Sequence, residues 1–169
     1  ICFNTSLEGY FEVITDPSYA GQIITMTYPQ IGNYGVNRED CQSEKPALRG
    51  LVVRDMCQVP SNWRCELTLP DFLRENNVVA IEGVDTRALV RHVRDNGAQR
   101  AVLSTLDTDV ESLLAKVRAS ESIVGVNLAE TVSRSEKATF GIDDLPKTQA
   151  FALTAPAPAK YKVVAYDCG

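Results

Sequence analysis

The run Val78-Val79-Ala80-Ile81-Glu82-Gly83-Val84-Asp85-Thr86-Arg87-Ala88-Leu89-Val90-Arg91-His92-Val93-Arg94-Asp95-Asn96-Gly97 decides the fold class. Its first four residues are apolar and mostly β-branched, as in a buried strand. Asp85 then offers a side-chain oxygen to the free N–H groups of a helix start. Leu89, Val90 and Val93 share one face of that helix, and Gly97 supplies a left-handed stop. A strand that runs into a capped amphipathic helix is the unit of an α/β fold.

The same alternation continues outward. Thr68-Leu69-Pro70-Asp71 is a capping box with Asp in the Glu position, and it opens a helix through Leu73 to Asn76. Downstream, a strand at Ala101-Val102-Leu103 precedes a helix started by Thr108-Asp109. There Val110, Leu113, Leu114 and Val117 stand at i, i+3, i+4 and i+7. Residues 1–35 read as β structure. Tyr10 to Thr15 is a strand closed by the turn Asp16-Pro17-Ser18, and Gln22 to Tyr28 is a second, stopped by Pro29. Ile31-Gly32-Asn33-Tyr34-Gly35 is a glycine-punctuated loop, and Asn37 to Pro46 an exposed polar excursion. Gly50 to Asp55 is a short buried strand ended by Val59-Pro60-Ser61-Asn62.

Beyond residue 120 the signals weaken. Ile123 to Ala129 is a short ordered segment. Ser133 to Lys160 turns Ala/Pro-rich, ends in Ala155-Pro156-Ala157-Pro158-Ala159 and reads as a semi-rigid connector. A strand at 162–166 follows it. The expected organisation is therefore one domain over 1–132, a linker over 133–161 and the start of a second domain at 162–169. Ile1 lies inside strand-like sequence, so both ends read as cut.

Composition narrows the function classes. Of 169 residues, 44% are hydrophobic and 23% charged, which excludes a disordered chain. With 17 Lys+Arg against 22 Asp+Glu the net charge is -5, which argues against nucleic acid as a partner. No apolar run approaches the roughly 20 residues of a membrane span. His92 is the one histidine, so there is no His cluster for a metal and one imidazole for proton transfer. It sits between Arg91 and Arg94 on a helix flank, which suits a surface residue.

The five thiols, Cys2, Cys41, Cys57, Cys65 and Cys168, form no C-x-x-C pair and read as reduced, cytosolic cysteines. None combines a helix N-terminus with a neighbouring cation, so none makes a good nucleophile. Asp85-Thr86-Arg87 could clamp a polar ligand, but an N-cap with an exposed Arg is the simpler reading. Gly32-Asn33-Tyr34-Gly35 could cradle an anion, but a plain tight turn is simpler still. In Asp16-Pro17-Ser18-Tyr19 the serine hydroxyl either bonds its own backbone or faces a ligand. Local chemistry thus ends at an α/β domain with no complete active site.

A longer comparison carries further. Phe3-Asn4-Thr5-Ser6, Gly9-Tyr10, Thr15-Asp16-Pro17-Ser18-Tyr19-Ala20-Gly21-Gln22-Ile23 and Tyr28-Pro29-Gln30-Ile31-Gly32-Asn33-Tyr34-Gly35 resemble the small subunit of glutamine-dependent carbamoyl-phosphate synthase. So, in order, do Gly50 to Asp55, Ser61-Asn62-Trp63-Arg64, Val84-Asp85-Thr86-Arg87 and Arg94-Asp95-Asn96-Gly97-Ala98. Val163-Val164-Ala165-Tyr166-Asp167-Cys168-Gly169 resembles the first strand of that subunit's glutaminase domain. Gln30, Cys41, Cys57 and Cys65 depart from the family's hallmarks, and none touches the motif around Ser18.

The resemblance implies a three-layer β/β/α domain that docks an ATP-using large subunit. Ser18 would hydrogen-bond the polar end of glutamine across a domain interface. The catalytic Cys, with its His and Glu partners, would belong to a class I amidotransferase domain beyond Gly169. On that pattern this stretch holds no catalytic residue, metal or cofactor, because ATP and Mg belong to the large subunit. The implied product is carbamoyl phosphate, made from bicarbonate in the cytoplasm for arginine and pyrimidine biosynthesis. The rival class is a non-catalytic scaffold that kept the fold, in which a serine would replace the Cys of a downstream G-x-C-x-G elbow. A fused eukaryotic polyprotein is a third reading, against which Tyr-Pro-x-Ile-Gly-Asn has a bacterial wording. Purified residues 1–169 should release no glutamate from glutamine, and appreciable turnover would overturn the absence of a nucleophile.

Overall fold

The strands that carry most apolar surface are Ile23–Met26 (β2) and Gly50–Val52 (β4), and every residue of both is buried. They lie side by side at the centre of a four-stranded sheet in a computed structural model that describes residues 1–141 and 160–167. Cys2–Asn4 (β1) flanks β2, and Val79–Ile81 (β6) flanks β4, giving the order β1-β2-β4-β6. All three pairings are parallel, with Cys2 opposite Ile24, Ile24 opposite Leu51 and Leu51 opposite Ala80. Gln30–Ile31 (β3) and Asp55–Met56 (β5) form a second, two-stranded parallel sheet.

Side chains alternate across a strand, so β2 and β4 each feed two faces. Ile24, Met26, Leu51 and Val53 enter the main core together with Ile31 of β3 and Met56 of β5, which places that core between the two sheets. Truncating such a residue to Ala typically costs about 2–5 kcal/mol. The opposite face, which includes Ile23 and Thr25, is the one toward helix Thr86–Asn96 (α3), whose Val93 is buried and which packs against β1 and β2. The α/β class holds, with helices and a parallel sheet.

Helix starts follow the caps. Thr68 Oγ1 accepts from Asp71 N at 3.2 Å and donates to Asp71 Oδ2 at 2.7 Å, opening Leu69–Glu75 (α2). Asp85 Oδ1 accepts from Ala88 N at 2.9 Å, and Asp109 Oδ2 from Ser112 N at 2.8 Å at the start of Val110–Ala119 (α4). Before α4, Asp107 accepts from Lys116, Ser112 and the Asp109 amide, and those hydrogen bonds hold its carboxyl at about 2.

Several expectations fail for identifiable reasons. Tyr10–Thr15, read as a strand, is a helix (α1). Tyr10, Phe11, Ile14 and Thr15 are its buried residues, the i, i+1, i+4, i+5 pattern of a helical face, and the Phe11 ring meets Phe72 edge-on with centroids 4.9 Å apart. Burial on that face overrides the β preference of Tyr, Phe, Val, Ile and Thr. The buried strand expected over residues 50–55 ends at Val52, and Asp55–Met56 joins the second sheet instead. β6 is an edge strand, half-covered, with Ile81 44% exposed.

No strand forms at 101–103. Leu103 instead lies over β4, where a Cβ on Gly50 would stand 2.7 Å from Leu103 Cδ1. The apolar stripe of α4 forms, yet none of its residues is buried and Val110 is 65% exposed.

The chain divides into two units, Ile1–Val126 and Asn127–Gly169. In the second, Asn127 caps the short helix Leu128–Val132 (α5). Residues 160–167 carry no strand, because a strand needs a hydrogen-bonded neighbour and none pairs with them among the described residues. Most of the expected linker, together with Cys168 and Gly169, lies outside the described residues.

Gly32-Asn33-Tyr34-Gly35 is a tight turn, closed by Gly35 N donating to Gly32 O at 3.0 Å. Tyr34 stacks on Tyr10 at 4.0 Å, and Tyr10 Oη donates to Gly35 O at 2.6 Å. Gly35 has φ +72, and a Cβ there would stand 2.2 Å from Cys65 Sγ, whereas Gly83 has φ +79 with nothing within 4 Å. Gly35→Ala should therefore lose about 2 kcal/mol more than Gly83→Ala in urea unfolding, since both pay for the left-handed backbone and only the first adds a clash. Equal losses would show that the turn yields to the extra carbon.

Candidate functional site

The turn after α1 is held from several directions. Asp16 heads a single 3-10 turn over Pro17–Tyr19 and accepts from Ser18 N through Oδ1 at 2.8 Å, an Asx cap made possible by the short side chain. Tyr19 N donates to Asp16 O at 3.2 Å, and Ala20 N to Pro17 O at 3.0 Å. Gln22 Nε2 reaches back to Ser18 O at 3.1 Å. Two longer ties fix the turn to the sheet: Asn4 Nδ2 donates to Tyr19 Oη at 2.9 Å, and Arg49 N donates to Gln22 O at 2.7 Å. The end of α1 is anchored as well, with Ser43 Oγ donating to Thr15 O at 2.6 Å and Gln42 N to Thr15 Oγ1 at 3.1 Å.

In the middle of this framework Ser18 is exposed, and its hydroxyl has no partner among the described residues. Its backbone N–H and C=O are both used, so the side chain is held still without being consumed. Of the two roles open to a serine in this turn, bonding its own backbone is not adopted.

The other candidate groups are placed away from chemistry. His92 is exposed on α3, with Nδ1 3.4 Å from Asn96 Nδ2. Burial raises the Cys2 and Cys41 thiols above their ordinary range, which disfavours thiolate. Cys57 and Cys65 spend their S–H groups on the carbonyls of Val59 and Leu67. Burial also pushes the Tyr34 phenol up to about 12, with the Glu12 carboxylate adding to it, and holds Tyr10 far above its usual range. No three His, Cys, Asp or Glu gather for a metal among the described residues. No helix among them is long and apolar enough to cross a membrane.

Asp85 caps α3 through Oδ1, the simpler of the two roles read for it. Arg87 belongs to a different grouping, a cleft of about 570 Å³ that it lines with Arg91, Arg94, Thr5 and Thr27. Local rules do not reveal that grouping: Arg91 and Arg94 read as neighbours of His92, and Arg94 as part of the motif Arg94-Asp95-Asn96-Gly97-Ala98. The signal available was their i, i+4, i+7 spacing on one helix face.

Comparison with known proteins adds a family. Residues 1–103 match the family described as carbamoyl-phosphate synthase small chain, CPSase domain. The carbamoyl phosphate synthase small chain of Syntrophotalea carbinolica is 50% identical over 169 residues, which is all of this chain and 45% of that protein. The protein of the same name from Thermotoga maritima is 53% identical over 136 residues, 80% of this chain and 35% of its own length. That from a Synechococcus is 42% identical over 170 residues, covering 100% of this chain and 43% of the relative. The chain thus spans less than half the length of these relatives.

The turn separates scaffold from side chain. Asp16→Ala should cost about 1 kcal/mol in chemical unfolding and speed amide exchange at Ser18, as loss of a cap does. Ser18→Ala should stay within about 0.5 kcal/mol of the parent, as exposed substitutions do. A large loss in Ser18→Ala would mean that the hydroxyl is structural.

Proposed function

Because the chain belongs to the carbamoyl-phosphate synthase small-chain family, we propose that it is the N-terminal part of an amidotransferase subunit in which Ser18 helps to hold glutamine. The observation that carries this reading is the exposed Ser18 hydroxyl, fixed by its backbone and bound to nothing else in the described chain. A hydroxyl can donate to a carbonyl or carboxylate oxygen and accept from an amine, so it suits the polar end of an amino acid. Its preorganisation lowers the ordering cost of binding.

The bond-breaking steps belong to a class I amidotransferase domain in the remainder of the protein. There a thiolate attacks the side-chain amide of glutamine and releases ammonia, and water then frees glutamate from the γ-glutamyl thioester. Ammonia passes to a large subunit, where ATP and Mg support its combination with carboxyphosphate made from bicarbonate. The part of the protein described by residues 1–132 docks that large subunit, residues 133–161 connect, and residues 162–169 begin the amidotransferase domain. The assembly is a cytoplasmic heterodimer serving arginine and pyrimidine synthesis.

The test is steady-state kinetics of the complete small subunit assembled with its large subunit. Ser18→Ala should raise KM for glutamine by about tenfold, the worth of one hydrogen bond to a polar ligand. Ser18→Thr, which restores a hydroxyl, should recover most of that loss. An unchanged KM in Ser18→Ala would remove Ser18 from the glutamine site.

A further inference from the structure

The arginine-lined cleft lies where α3 packs over β1 and β2. Asn4 pairs with Met26, so Thr5 and Thr27 are each the first residue past the carboxyl end of a strand, and they are neighbours in register. Strand alternation sets them on the face opposite Cys2, Ile24 and Met26, the face that α3 covers. The same row runs inward to Thr25, whose buried hydroxyl has no partner among the described residues. On the helix side stand Arg87, Arg91 and Arg94, one above another, with Val90 among them.

The charge arrangement is unbalanced. Arg94 Nε meets Asp95 Oδ1 at 2.8 Å. Among the described residues neither Arg87 nor Arg91 has a carboxylate partner, and the Thr5 and Thr27 hydroxyls have no hydrogen bond. Like charges at i, i+4 on a helix repel, and here they stand together in a chain of net charge -5. An anion shared between the guanidinium groups relieves that repulsion.

We propose that this cleft binds a phosphate group carried by a small molecule. The forks of Arg87 and Arg91, the edge of Arg94 that Asp95 leaves open and two hydroxyls offer more donors than the two oxygens of a carboxylate can accept, whereas the three terminal oxygens of a phosphoryl group match them. The cleft, at about 570 Å³, is open to solvent along the exposed arginines and leaves room beyond the phosphate. The carboxyl ends of parallel strands are also where α/β sheets take their ligands. The proposal stands apart from the role of Ser18.

Inorganic phosphate is the probe, titrated into the full chain by calorimetry and by thermal unfolding, with sodium chloride and sodium acetate at matched ionic strength beside it. Phosphate should bind saturably and raise Tm beyond either control. Arg87→Gln/Arg91→Gln should weaken phosphate binding by about tenfold or more, as expected for lost charge-assisted hydrogen bonds. If that pair fails to fold, Arg87→Lys/Arg91→Lys keeps the charge and loses the forks, and it too should bind several-fold more weakly. The proposal falls if phosphate acts no differently from chloride or acetate, or if a folded variant binds phosphate as tightly as the parent.

Discussion

Each neighbouring pair in the four-stranded sheet is parallel, so the chain must be carried back along the sheet before every new strand can start. A hairpin cannot do this. The connections are therefore long, and they hold much of the structure that precedes β6. Between β1 and β2 lie α1 and the turn bearing Ser18. Between β2 and β4 lie β3 and the polar excursion, and between β4 and β6 lie β5 and α2. The second sheet is itself made from two of these returning segments, and it closes the core over Ile24, Met26 and Leu51.

The consequences are unequal across the structure. β2 and β4 are wholly buried and carry the apolar burial on which the fold rests, whereas the outer strands β1 and β6 are half-covered. Most ion pairs lie at the margins. Arg38 meets Glu75 at 2.9 Å with both side chains about half exposed, an arrangement worth less than about 1 kcal/mol. Polar ties matter more where they fix a turn against the sheet, as Asn4 does with Tyr19. Rigidity at Ser18 is thus borrowed from β1 and from the segment entering β4.

What could be read in the residues was whatever depends on near neighbours. The caps at Thr68, Asp85 and Asp109 act over three residues, and all three helices start where those caps stand. The stretch 10–15 misleads because its residues favour strands individually, while its helical state comes from burying Tyr10, Phe11 and Ile14 against partners such as Phe72. Leu103 misleads in a similar way, since its packing over Gly50 is invisible without the fold. Ser18 is marked out by family resemblance, because local rules leave a turn serine either to bond its own backbone or to face a ligand. The arginine cleft needed the register of β1 on β2, which sets Thr5 beside Thr27 and which no local pattern encodes.

The sheet order β1-β2-β4-β6 repeats the order in which the strands occur along the chain. No strand has to be inserted between two that came earlier. Each joins an open edge formed by a strand encoded within about thirty residues of it. On a ribosome, where the amino end emerges first, such a sheet grows in one direction as its strands appear. At each stage the edge that grows belongs to the strand made last, so on that side the risk of mispairing moves along the sheet and ends at β6.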